Sequence, residues 1–423
     1  MSQLQNIPEN VHPDFDSNIS KRHRSGKIWR IIFRISTVVG VIALAALLIN
    51  VGNSTMGYAA VDYKIQPDEL AINDIPLEML HKDDLTYILR ENVSEGLYEN
   101  LNNEKPFSER SHDDIYNLVI ANVAQPKVLG TWKLWNSLTD KNGVFQNAEE
   151  KYAEKFPDYE MQFINWFSKE FITNPQSSDP VQAGIRTAIL GSLMVIAITI
   201  VFSFPVGVGA AIYLEEYATD SAINRLIQTN INNLAGVPSL IYGILGLAIF
   251  VRVLEPLTSG AIFGYVEDPT TANGRTILSA GLTLGVLILP MIIINAQEAI
   301  RAVPNSLRNA SLGVGATKWQ TIWSHVLPNA LPGILTGVIL AMSRAIGETA
   351  PLVVVGASTY ITYDPDGPFS KFTVLPIQIY QWTARPQDVF RNIAAAAIIV
   401  LLILLFTMNA TAVLLRNKYS KKF

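Results

Sequence analysis

Six separate apolar blocks constrain this chain more than any other feature: residues 28–51, 183–213, 230–252, 277–299, 329–356 and 392–415. Each is about as long as the roughly 20 helical residues that cross a bilayer, and none is long enough to cross twice. In hydrocarbon every backbone N–H and C=O must be bonded within its own segment, so each block is expected to be a helix. The fold class expected is therefore an all-α polytopic membrane protein with six transmembrane helices. Composition agrees: 49% of the 423 residues are hydrophobic and only 16% charged, against about 25% charged in soluble domains. Pro205, Pro238, Pro290 and Pro332 fall inside the blocks, where neighbouring helices can satisfy the freed carbonyls.

The blocks divide the chain into a basic tail (1–27), a first transmembrane helix (28–52), an intervening segment (53–182), a five-helix core (183–416) and a second basic tail (417–423). The net charge of −4 conceals an asymmetry: residues 53–182 carry 22 acidic and 11 basic residues, −11, which leaves +7 for the rest. Residues 53–182 hold no span. Helical spacing at 85–90 and 115–123 predicts a folded, mostly helical domain, and Trp132, Trp135, Trp166 and Phe167 need somewhere to pack. Ser178-Asp179-Pro180 reads as the start of the second spanning helix. The basic run Lys21, Arg22, Arg24, Lys27, the loop cations Arg301, Arg308 and Lys318, and the basic C-terminus place both termini and loop 301–328 in the cytoplasm by the positive-inside rule. That puts domain 53–182 outside. Loop 214–229 goes the other way, with Glu215, Glu216 and Asp220 outnumbering Arg225, but acids count little in the rule. Arg186 and Arg252, near span ends, are expected to snorkel. The dispersed cations do not form a nucleic-acid patch. The chain has no cysteine, hence no disulfide and no Cys-ligated zinc.

Two segments carry chemistry. The first, within loop 301–328, reads Asn309-Ala310-Ser311-Leu312-Gly313-Val314-Gly315-Ala316-Thr317-Lys318-Trp319, then His325-Val326-Leu327-Pro328. It is too polar to span and too apolar for a loose linker. A short amphipathic helix, a glycine break and a second helix would present a knob to a cytoplasmic partner, or a helix pair lying on lipid. Periodicity leaves these even. The second is Ser343-Arg344-Ala345-Ile346-Gly347-Glu348-Thr349-Ala350-Pro351 in the fifth block. Each ionised group there costs about 2.5–3.5 kcal/mol to insert. Arg344 and Glu348, four apart, can pair, but Arg before Glu is the weaker order for helix support. A buried ion pair is a poor stabiliser, so the pathway reading is favoured over a packing role, and a guanidinium fork suits an anion. Asn232 and Asn233 either line that pathway or bond across helices. No phosphate-binding loop, His-Glu-x-x-His or nucleophile elbow occurs, so energy must come from another chain.

The loop resembles the coupling loop of ATP-binding-cassette importer permeases. Ala310, Gly315, Leu327 and Pro328 match that pattern, while Asn309 stands at its Glu, Ser311 at its second Ala and His325 at its Ile. The stretch from Arg344 through Glu348 and Thr349 to Pro351 resembles the signature of the phosphate importer permeases. So do 232–243, which includes Ser239, and 331–337. The likeness covers about 180–416 and is closer to the PstA than to the PstC branch. Residues 60–175 are loosely similar to the insert of a long PstA subgroup. The resemblance implies a type I importer permease core in a bacterial inner membrane, with no catalytic residue, metal or cofactor of its own and ATP used by a partner. It also implies an ATPase dimer (PstB-like) docking on 301–328, a second permease (PstC-like) and an extracytoplasmic phosphate-binding protein (PstS-like), all amid membrane lipid. A permease for sulfate or molybdate, and more remotely a membrane-anchored sensor, are the rival readings.

Overall fold

The computed structural model describes residues 19–73, 75–264, 273–357, 360–361 and 363–419. Most of the tail 1–27, and Lys421 and Lys422 of the C-terminal tail, lie outside the described residues. Two units are distinct, 1–51 and 52–423. The first is the greater part of one helix, α1 (Ile19–Ser54), whose 36 residues make about 54 Å. Its side chains are exposed from Arg22 to Asn50, as suits a helix whose solvent is lipid.

The second unit begins with domain 53–182, whose helices are joined by a sheet that the sequence reading did not anticipate. Strand β1 (Met56–Tyr63) lies between β2 (Pro126–Thr131) and β3 (Glu160–Asn165), antiparallel to both. Helices α2 (Lys82–Asn92), α3 (Glu95–Glu104) and α4 (His112–Val119) follow β1. Leu85, Leu89, Phe107, Ile115 and Val119 form their core. Helices α5 (Leu134–Thr139) and α6 (Lys141–Tyr152) follow β2, and α7 (Lys169–Thr173) follows β3. Trp166 and Phe171 pack among Leu375, Trp382, Phe390 and Ile393 of the membrane core. Trp135, expected to be packed, is 68% exposed.

The core holds α8 (Arg186–Ile212), α9 (Ala222–Ala235), α10 (Ser239–Gly246), α11 (Glu255–Thr258) and α12 (Ile277–Arg301). These are followed by α13 (Asn305–Gly313), α14 (Lys318–Thr321), α15 (Leu327–Gly347), α16 (Ala350–Val355), α17 (Leu375–Ala384) and α18 (Asp388–Tyr419). Among the described residues five helices are long and apolar enough to span. A bent pair, Ala222–Ala235 with Ser239–Val253, makes six. Ser178-Asp179-Pro180 proves to be a turn, with Asp179 Oδ1 accepting from Val181 N at 2.9 Å, and α8 begins only at Arg186.

Buried α12 is the hub, with Leu284, Ile288 and Ile292 almost fully enclosed. Glycines let its neighbours close in: a methyl group on Gly281 would lie 2.6 Å from Ile198 of α8, and one on Gly333 of α15 would lie 2.8 Å from Ala299. Helix α8 separates a domain end, beside residues 53–182, from a loop end, beside residues 301–328.

Candidate functional site

The fifth span is not one helix. Pro351 has no N–H to donate to the carbonyl of Gly347, and its ring collides there, so α15 stops at Gly347. Glu348 is extended (φ −74°, ψ 120°) and α16 restarts at Ala350. Glu348 turns back from outside the helix, and Arg344 Nε donates to its Oε1 at 3.2 Å. The pair thus forms across a helix end, not along one helix face as its spacing suggests. Arg344 Nη1 also lies 3.3 Å from Met291 Sδ. Met291 is near the middle of the 25-residue α12, which sets the guanidinium near mid-bundle. The Arg344 side chain is 42% exposed and that of Glu348 only 17%: the cation is accessible, the anion largely enclosed.

The third span is broken too, by Gly236-Val237-Pro238, where α9 and α10 meet at 107°. Tyr242 Oη donates to Leu234 O across the bend at 2.7 Å. The two breaks meet, for a methyl group on Gly243 would lie 2.6 Å from Pro351 Cα. The two signature stretches, over 100 residues apart in the chain, are therefore neighbours. Ser239 opens α10 half-buried, and Asn232 and Asn233 are exposed on α9. Asn232 Oδ1 accepts from Gln228 Nε2 at 3.2 Å. Gln228 and buried Gln297 of α12 exchange hydrogen bonds of 2.8 and 3.2 Å. Thr349 occupies the break beside Glu348.

At the loop end, α13 and α14 are separated by Gly315, whose φ of +86° suits glycine best. Thr317 caps α14 reciprocally with Gln320. Asn309 and Ala310 are exposed and Ser311 is buried, its Oγ 2.9 Å from Thr321 Oγ1. Leu327 and Pro328 open α15, half-buried and exposed respectively. Leu312, Val314 and the stacked rings of Trp319 and Trp323 stand exposed around this knob.

Comparison with known proteins bears on this arrangement. Residues 203–421 match the sequence profile of the family described as binding-protein-dependent transport system inner membrane component. The chain belongs to that family. It is 30% identical over 261 residues to the probable ABC transporter permease protein YqgI of Bacillus subtilis, covering 58% of this chain and 83% of that protein. It is 30% identical over 242 residues to the phosphate transport system permease protein PstA of Xylella fastidiosa, covering 56% of this chain and 78% of the relative. It is 32% identical over 235 residues to PstA 1 of Mycobacterium tuberculosis H37Rv, covering 55% and 70%. The chain is thus a permease subunit of an ATP-binding-cassette importer, an inner-membrane protein that works with an ATPase and a substrate-binding protein. Domain 53–182 and α1 lie outside the matched residues.

In this permease two of the acids of loop 214–229 that are anomalous by the charge rule, Glu215 and Glu216, are counter-ions of loop 301–328, while Asp220 pairs with Arg225. A π-helical turn, Tyr213–Tyr217, extends α8. Glu215 accepts two bonds of 2.9 Å from Arg301, and Glu216 accepts 2.8 and 3.0 Å bonds from Arg308. Arg308 also donates to Val303 O (2.6 Å) and Ile300 O (2.8 Å). Lys318 Nζ lies 5.1 Å from the Tyr217 ring centroid. Three consecutive residues of α8's extension therefore hold three cations of loop 301–328. Unpaired local charge in the sequence was the one signal of this clamp. Arg186, expected to snorkel, instead pairs with Asp364 at 2.8 Å.

Proposed function

We propose that this permease carries inorganic phosphate inward by alternating access, as the PstA-like member of a permease pair. The observation that carries the reading is the accessible Arg344 guanidinium, held by Glu348 at a break in one spanning helix and seated against the break in another. Discontinuous spanning helices are where transporters place solute sites, because their free termini and polar groups line the route. At 3.2 Å and an effective dielectric near 20, the pair attraction is about 5 kcal/mol before desolvation. Solvent access to Arg344 reduces it. A phosphate dianion brings twice the charge of Glu348 and matches the guanidinium fork, so it can take Arg344 from its carboxylate. Glu348 then holds the arginine between transport events.

In this reading both termini and loop 301–328 are cytoplasmic, domain 53–182 is outside, and a PstS-like protein delivers phosphate there. A PstB-like ATPase dimer takes the exposed Trp319, Trp323 and Leu312, a PstC-like chain completes the conduit, and ATP is bound by the ATPase alone. Asn232, Asn233 and Ser239 line the route near the α9–α10 bend. The test is phosphate uptake by the assembled importer carrying Arg344→Gln at normal subunit levels. The expected result is loss of at least 100-fold, and wild-type uptake eliminates the role. Competition with sulfate and molybdate addresses the rival oxyanion reading: phosphate changes charge between pH 6 and 8 and sulfate does not, so only a phosphate route shifts its preference over that range.

A further inference from the structure

Arg252 and Arg275 face one hollow of about 390 Å³, lined also by Val251, Glu255 and Asn273. That is room for about a dozen waters. Two turns build it. Gly274, at φ +70°, tucks against the residues that end the third span, where a methyl group would lie 2.8 Å from Val251 O and 3.3 Å from Glu255 Cγ. Gly356, at φ +111°, closes α16 and takes the stem of Arg275, where a methyl group would lie 2.5 Å from its Cδ and 3.1 Å from its Nε. The chain thus fastens Arg275 over the domain end of α16, and Arg344 sits at the other end of that helix. The six residues of α16 span about 9 Å. Among the described residues neither arginine forms an ion pair or a side-chain hydrogen bond, and Glu255 is the one acid in the described lining, which is therefore net positive. Arginines that merely snorkel turn separately to the interface. These two converge on one hollow.

We infer that Arg252 and Arg275, with Asn273, form an outer acceptor site for an oxyanion, one α16 length outward of Arg344. Resting on the phosphate reading, this makes inorganic phosphate its ligand: the anion is received between two guanidinium forks before it reaches the Arg344–Glu348 break. Local positive charge also raises the anion's concentration at the mouth. The phosphate of a lipid headgroup offers the same chemistry, and the experiment separates the two sources.

The chain has no cysteine, so Arg275→Cys gives this subunit a single thiol. In the assembled importer, Arg275→Cys and the double variant Arg252→Gln/Arg275→Gln are expected to lower uptake at limiting phosphate at least 10-fold, with Arg275→Lys within 3-fold of wild type. A cationic methanethiosulfonate restores uptake to Arg275→Cys and an anionic one does not. In nanodiscs without binding protein, millimolar inorganic phosphate slows anionic labelling of Glu255→Cys, which keeps both arginines of the hollow, at least 5-fold. Labelling indifferent to phosphate overturns the site, as does labelling slowed only by added phosphatidylglycerol, which would make it a lipid contact. Phosphate uptake abolished by Arg344→Gln but unchanged in the double variant overturns this site alone, whereas a wild-type complex that takes up no phosphate overturns the substrate reading along with it.

Discussion

The clamp between α8 and loop 301–328 makes a prediction in which burial separates two similar ion pairs. Arg308 and Glu216 have side chains only 17% and 10% exposed, whereas Arg301 is 70% exposed beside Glu215. Removing one partner of a buried pair costs about 3–5 kcal/mol, because the other charge is left unpaired. Arg308 keeps the carbonyls of Val303 and Ile300 in Glu216→Gln, which sets the expectation at the lower limit, about 3 kcal/mol. Glu215→Gln breaks a pair of nearly equal length, 2.9 against 2.8 Å, whose arginine is screened by water, and costs under about 1 kcal/mol. If the clamp holds the loop, amide hydrogen exchange across 303–317 in the assembled importer rises about 100-fold in Glu216→Gln and less than about 5-fold in Glu215→Gln, since 1.4 kcal/mol is tenfold. Equal effects would show that solvent exposure does not decide the matter. Unchanged exchange in Glu216→Gln would show that the loop is held by something else, and the argument from pairing would fail. The reversal Glu216→Arg/Arg308→Glu is expected to recover part of the protection lost in either single variant.

Three further outcomes follow from local geometry. Gly243→Ala puts a methyl group 2.6 Å from backbone at Pro351. Overpacking costs about 1–3 kcal/mol and prises the two helix breaks apart, so uptake falls at least 10-fold, while Gly209→Ala, with nothing within 4 Å, is silent. Gly315→Ala meets no neighbour but must hold φ at +86°, a strain of about 1–2 kcal/mol; faster exchange at 312–317 with normal subunit levels is the readout. In domain 53–182, His112 Nε2 lies 2.8 Å from Leu80 O and Nδ1 3.3 Å from Asp113 Oδ1. Those two acceptors, the Leu80 carbonyl foremost, raise its pKa above 6.5. A raised folded pKa adds stability below pH 6.5 that is lost as pH rises through the folded value. Exchange at 107–119, corrected for intrinsic rate, is therefore slower at pH 5.5 than at pH 8, and His112→Gln removes the difference.

The spans were legible because lipid imposes a uniform rule: an apolar block of sufficient length is a helix whatever surrounds it. Where that rule was interrupted, the sequence carried the signal in Pro238 and Pro351 but not its consequence. Proline tolerated in a membrane helix and proline that ends one look alike until neighbours are known. The sheet of domain 53–182 was hidden for another reason. Strand β1 is buried at Ala59, Ala60 and Val61 in succession, so period-two alternation is absent, and its partners lie about 70 and 100 residues away. Long-range ion pairs leave no local pattern either. Arg186 with Asp364 and Arg308 with Glu216 each read in isolation as a charge at a helix end. Arg344 and Glu348 were found because charge in an apolar block is itself the anomaly.

The clamp and the breaks belong to one closed circuit of elements. With its π-helical turn, α8 runs 32 residues from Arg186 to Tyr217, about 48 Å, with Pro205 inside it. One end carries Glu215 and Glu216 and so grips loop 301–328. At the other, Arg186 and Thr187 meet Asp364 at 2.8 and 3.1 Å, in the segment that leaves α16. From α16 the chain returns through the break to α15, and α15 leads back to the loop. A continuous helix resists bending because each turn is tied to the next by its backbone bonds. At Glu348 and Thr349 that ladder is interrupted, and beside the 3.2 Å bond from Glu348 N to Ala345 O the side-chain bridge is the Arg344–Glu348 pair, whose arginine is open to solvent. A displacement imposed at loop 301–328 would reach the domain end through α8, and on the other limb the break at Glu348 and Thr349 is where the helical bonding is interrupted. That break also holds Arg344, so under the phosphate proposal the residue assigned to the anion sits at the interruption of the circuit.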